Sequence, residues 1–552
     1  MAARVTEASI QALAKGAIES KENANNLVDL LDYLQSRRAR VVKWSCGAVA
    51  TAYGHLIQEH YSWLVNSPAG RKQQAGVQGS QNDVVVKFRD WMRENYTSCK
   101  EQLLTLLAHE SRDVQEAALN SLLLLIKTEG TCHIATFHSY SFPNSLLHQV
   151  TGRLLDDQTN TSSLIGRFED YLVYDDIRFH WMKNIASVLS FKKKHQLTQQ
   201  LAENSFAALQ PLHSHMATDD SQLTDLFAGR PPLPERDAGK EGETGEEEEE
   251  SERREGEDEA EEVMEEDVAN PLRAKMSRSQ VRALDVQTLQ KHRKRFSDAW
   301  LAFLRLTLSS LLHKKVLVLI HSEVMPHLLE PRLLLDFLVD SYDTGGVVSL
   351  LALNGLFILM HHYHLDYPDF YSKLYGLLEP SVFHVKYMPR FFSLMDTFLS
   401  STHLPLYMVA AFAKKIARLA LSAPPQGVMV GVVFVTNLLK RHPNCRVLLH
   451  RSNTDGVSLD NDPFLVEERD LARCQALESC LWEIPTLKSH YCPEVSVLVS
   501  NLISSLDKKS EENIGKYLDK DFDDILSTAE TKLSDNVDVP LNHEKPAVDW
   551  SF

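Results

Sequence analysis

The stretch "DVQEAALNSLLLLIK", residues 113–127, decides the fold class. Val114, Ala117, Ala118, Ser121, Leu122 and Leu125 recur at the three- and four-residue spacing that puts them on one side of an α-helix. Upstream, "NNLVDLLDYLQ" (25–35) repeats the pattern with Leu27, Leu30, Leu31 and Leu34. Runs of alternating β-branched residues bounded by Gly-rich turns, the signature of strands, are nearly absent. Successive amphipathic helices without a strict repeat consensus predict an all-α, HEAT-like helical repeat, an α-solenoid. The polar, Gly-containing segment 66–83 reads as an exposed loop between two such helices.

The solenoid is expected in two blocks. From Glu241 to Asp267 there are 17 acidic residues against Arg253 and Arg254, a net of −15. The chain carries −17 in all, so the other 525 residues carry only −2. Such a segment has too little apolar surface to offset its ordering entropy, and it predicts a disordered acidic linker over 228–278. Before it lies an N-terminal repeat block, 1–227; after it lies a helical domain, 279–508, and then a C-terminal helix and tail, 509–552. Charge reverses at once, with 11 Lys or Arg between Pro271 and Lys315 against Asp285 and Asp298. Within that basic run Lys291, Arg293, Lys294 and Arg295 are candidates for a nuclear-import signal or phosphate contact.

Further along, Pro326, Pro331, Pro368, Pro380, Pro389, Pro405, Pro424 and Pro443 punctuate the chain at helix-length intervals. Between Pro405 and Pro424, Val409, Phe412, Ile416 and Leu419 make an apolar stripe, with Lys414, Lys415 and Arg418 on another side. This pattern predicts a helix that buries one face and offers a cationic face to a partner, and RNA or phosphate contact is assigned to Lys414, Lys415, Arg418, Lys440 and Arg441.

Chemistry is sparse. There is no phosphate-binding Gly-rich loop, nucleophile elbow, kinase signature or His-Glu-x-x-His, so neither an enzyme nor a cofactor is expected. Seven cysteines at irregular spacing, none forming Cys-x-x-Cys, read as reduced thiols. His361, His362 and His364 lack the further ligands that zinc requires and read as the end of one helix. Tyr367, Pro368 and Asp369 then start the next, on which Phe370, Tyr371 and Tyr375 cover two sides. Tyr367, Phe370, Tyr371 and Tyr375 are therefore candidates for a buried partner interface.

Two uncharged segments raise the question of a membrane. Leu419–Leu439 is interrupted by Pro424, Pro425 and Gly427, which leaves twelve continuous positions, and Val347–Met360 has 14. A spanning helix needs about 20. Buried helices explain both, and association with the nuclear membrane rests on them alone.

Three elements carry a resemblance: "YPDFY" (367–371), "SSTHLP" (400–405) and "KRHPNC" (440–445). With the run "LALNGLFILM" (351–360), residues 300–500 resemble the CCAAT-binding-factor-type domain of nucleolar complex proteins. The resemblance implies a helical protein of the nucleus and nucleolus in small (40S) ribosomal subunit assembly and pre-rRNA processing. It also implies a heterodimer with a second nucleolar assembly factor, of the nucleolar protein fourteen type, inside the small-subunit processome, and no catalysis. Direct RNA binding, or a HEAT-type transport adaptor, is the alternative expectation.

Overall fold

The computed structural model describes residues 6–20, 23–65, 81–192, 198–229, 278–449, 462–504, 510–518, 520 and 523–528. Regular structure among them is helical, with no strand. The chain divides into two compact units, Met1–Pro331 and Arg332–Phe552.

The first unit contains α1 (Glu7–Glu19), α2 (Asn26–Leu34), α3 (Ala39–Leu64), α4 (Gln81–Leu106), α5 (Arg112–Phe137), α6 (Asn144–Leu154), α7 (Ser162–Phe168), α8 (Asp175–Phe191), α9 (Gln199–Leu209), α10 (Leu212–His215), α11 (Arg278–Val286), α12 (Leu289–Leu304) and α13 (Ser310–Leu319). A reciprocal Thr6–Ser9 capping box starts α1, so two of its orphan backbone donors are satisfied locally. The expected stripes are buried: Leu27, Leu30, Leu31 and Leu34 in α2, and Val114, Ala118, Ser121, Leu122 and Leu125 in α5, with Ala117 half-buried. Each fully buried leucine contributes on the order of 2 kcal/mol, so these stripes hold α3, α4 and α5 in one layered stack. Of the loop expected over 66–83, residues 66–80 lie outside the described residues and Gln81 already opens α4.

The expected block boundary at 279 is corrected. Phe296, Ala299, Trp300 and Phe303 of α12 are buried in the first unit, and α12 packs along α8. Val286 joins Tyr140 and Phe179 in an apolar cluster that also takes up Leu226 and Ala283. The acidic segment itself, 230–277, lies outside the described residues. The residues that lead into it and out of it are pinned in the same cluster, so it is an insertion within one folding unit rather than a connector between two.

The second unit contains α14 (Leu335–Asp343), α15 (Gly346–Tyr363), α16 (Phe370–Gly376), α17 (Met388–Phe398), α18 (Leu406–Ala420), α19 (Pro425–Arg441), α20 (Glu483–Thr486), α21 (Pro493–Ser504) and α22 (Gly515–Leu518). Prolines start its elements as their spacing predicts: Pro389 lies in the first turn of α17, Pro405 caps α18, and Pro424 caps α19. α15 ends at Tyr363, His364 turns left-handed (φ 52°), and the Leu365 N–H closes back on the Leu359 carbonyl at 3.2 Å. The histidine triplet is thus a helix end, as expected.

By length and composition α15 could cross a membrane, but 56% of it is buried inside its own unit, against α14, α16 and α17. Leu350, Leu351, Leu353 and Leu356 lie in the core. In α19, every residue from Gly427 to Leu439 is buried. Its Gly427 is required by a close approach, since a Cβ there would lie 2.7 Å from Phe383 Cδ1. The start of the expected C-terminal tail also belongs to this unit: the Asn437 amide exchanges hydrogen bonds with the Glu512 backbone at 2.8 and 3.0 Å.

Candidate functional site

The densest polar chemistry of the second unit surrounds Lys414. Helical periodicity places Lys414 and Arg418 on the side of α18 that carries Tyr407, and residues 462–483 lie across that side. The fully buried Lys414 ammonium has three hydrogens and three acceptors: the Cys480 carbonyl at 2.6 Å, Glu483 Oε1 at 2.6 Å and Asp462 Oδ2 at 2.8 Å. Arg418 Nη1 stands 3.6 Å from Glu483 Oε1, and its guanidinium lies 4.9 Å from the Trp482 ring centroid. Trp482 Nε1 donates to Asp462 Oδ2 at 2.9 Å and Ser479 Oγ to Asp462 Oδ1 at 2.5 Å.

Electrostatics separates the two carboxylates. Burial raises the Glu483 carboxyl above its usual range despite the Lys414 hydrogen bond. Burial also opposes ionisation of Asp462, but hydrogen bonds from Lys414, Ser479 and Trp482 outweigh it and hold that carboxyl well below the usual range. The Lys414 ammonium thus ties together two acids and a backbone carbonyl. It fastens the 462–483 segment to α18.

The RNA contacts expected at α18 are therefore corrected. Lys414 is fully buried, and Lys415 is buried on the opposite flank, its Nζ donating to the Tyr375 carbonyl at 3.0 Å and lying 3.9 Å from that ring's centroid. Arg418 is half-buried under Trp482. On α19, Arg441 bridges Asp396 and Glu511 at 2.8 and 2.7 Å, and Lys440 donates to the Ser510 carbonyl. Those two cations anchor the C-terminal segment.

The aromatic candidates divide. Phe370 and Tyr375 are fully buried in the unit's own core, Phe370 against Phe357 and Phe398 and Tyr375 against Phe412, which removes them as partner contacts. Tyr371 donates its hydroxyl to the Phe398 carbonyl at 3.3 Å. Tyr367 is half-buried beside Lys373. In the first unit Lys291, Arg293, Lys294 and Arg295 are half-buried on α12; Arg295 lies 3.6 Å from Asp298 and 5.9 Å from the Phe179 ring. The import candidates thus belong to a packed helix and not to a free basic stretch. Among the described residues, no three His, Cys, Asp or Glu side chains converge to hold a metal ion.

Lys415 yields a pH prediction. Burial lowers its ammonium from the usual 10.5 to about 8, against the opposing charge of Glu379. Between those two values the unfolded chain binds the extra proton, so this group makes stability rise with pH. Lys415→Met removes the buried charge. In urea titrations the variant is expected to be the more stable at neutral pH, with the gap closing toward pH 10.5; parallel pH profiles would refute the assignment.

Asp462, Trp482 and Glu483 escaped the sequence reading because no spacing relates them to Lys414; the Lys414–Glu483 bond spans 69 positions.

Comparison with known proteins follows the two units. A CBF/Mak21 family model matches residues 349–499, and a model described as nucleolar complex protein 4-like, TPR repeats, matches residues 2–196. The chain is similar to the nucleolar complex protein 4 homolog of Mus musculus, 38% identical over 88% of this chain and 85% of the relative. It is 37% identical to homolog B of Xenopus laevis over 96% of this chain and 90% of the relative. With the Homo sapiens homolog it shares 38% identity over 89% of this chain and 86% of the relative.

Proposed function

Because the chain belongs to the nucleolar complex protein 4 family, we propose that it is a non-enzymatic scaffold of the nucleolus that serves ribosome biogenesis. Its finer task is assembly of the small (40S) subunit and pre-rRNA processing, within the small-subunit processome and as heterodimer with a second assembly factor of the nucleolar protein fourteen type. The observation that carries the reading is similarity along nearly the whole chain to relatives bearing that family name. The geometry is in keeping with it. In the second unit the buried Lys414 and Glu483 and the partly buried Asp462 and Arg441 are engaged in fastening segments together.

Isolation of the tagged chain from nuclear extract tests the proposal. Expected are co-recovery of the second assembly factor and of small-subunit precursor RNA, and unprocessed precursor after depletion. Recovery without these components, or normal processing after depletion, overturns it.

A further inference from the structure

In the stretch "SRRAR" (36–40), Arg37, Arg38 and Arg40 are exposed, and no hydrogen bond or ion pair engages their side chains among the described residues. Lys43, one turn along α3, is 48% exposed and 3.5 Å from Asp113. The same helix face continues through Gly47, where a Cβ would meet nothing within 4 Å, to exposed Thr51. None of the exposed large apolar side chains falls between residues 36 and 64.

Folding does not account for this cluster. Cations at the start of a helix oppose its macrodipole, and the chain as a whole is acidic, at −17. Three guanidinium groups within four positions, unpaired among the described residues, fit the planar, bidentate geometry of phosphate oxygens. The face offers no aromatic or aliphatic side chain beside its arginines, so charge rather than apolar burial is what it presents to a partner. We infer that Arg37, Arg38, Arg40 and Lys43 form a contact surface for the phosphate backbone of RNA, running along α3 over Gly47. The inference rests on the ribosome-assembly reading for its choice of RNA. Its test is independent of co-purification, so the two can fail separately.

The experiment measures binding of a labelled single-stranded RNA to the purified full chain as a function of salt. Each strand phosphate neutralised contributes about 0.7 to the log–log slope, so R37Q/R38Q/R40Q is expected to reduce it by about 2. Gly47→Glu puts a carboxylate on the same face, raises helix propensity rather than lowering it, and is expected to weaken binding. Unchanged slopes and affinities in both variants overturn the inference. So does polyglutamate that binds as tightly as RNA and is released by the same substitutions, because the surface would then serve an acidic protein segment.

Discussion

Lys414→Met is expected to lower the stability of the second unit by about 3–5 kcal/mol, as removal of one partner from a buried pair does. The substitution leaves Glu483 wholly buried with only Arg418 Nη1, 3.6 Å away, as a nearby cation, and withdraws the donor that holds Asp462 and the Cys480 carbonyl. Coupling makes the effect specific. Lys414→Met with Glu483→Leu removes both buried charges and should recover most of the loss, since well-packed apolar residues replace an internal ion pair at little cost. Urea titration with hydrogen exchange read on residues 462–483, where Trp482 is 39% exposed and bonded to Asp462, reports on the clasp itself. A loss below about 1 kcal/mol, typical of surface pairs, would mean that the segment is held by its apolar contacts instead.

That clasp marks where reading the sequence stops. Periodicity alone places the helices: Leu27 to Leu34 on α2 and Val114 to Leu125 on α5 are buried as their spacing requires. The corner at His361–Asp369 was equally legible, because a left-handed turn and a following proline are local devices. Charge on a helix is different. Lys414 and Arg418 lie on a side of α18 that looks solvated until a segment 69 positions downstream covers it, and nothing local signals that segment. The boundary expected at 279 fails for the same reason. The apolar side of α12, Phe296, Trp300 and Phe303, packs in the first unit, and its partner is α8, on the far side of the acidic insertion in sequence. Proximity in sequence to the second unit suggested the wrong neighbour.

The insertion's upstream anchor makes the second large prediction. Asp176 is wholly buried and accepts three backbone N–H groups: Ile177 and Phe227 at 2.8 Å and Ala228 at 2.9 Å. Burial raises its carboxyl above the usual range in spite of these bonds. Asp176→Ala strands the Phe227 and Ala228 donors in the interior, and at about 1–3 kcal/mol for each unsatisfied group the expected loss is about 2–6 kcal/mol. Asp176→Asn keeps one acceptor oxygen and should fall between.

The opposite side of the same strap is set by Gly130, where a Cβ would lie 2.6 Å from the Ala228 Cβ. Gly130→Ala should therefore cost about 1–3 kcal/mol by overpacking, even though alanine is the better helix former. Both substitutions displace residues 225–229, so the double variant should lose less than the two losses added, and limited proteolysis should open that segment in either single variant. Strict additivity, with 225–229 still protected in both, would show that the strap is secured by Leu226 in its apolar cluster and not by Asp176.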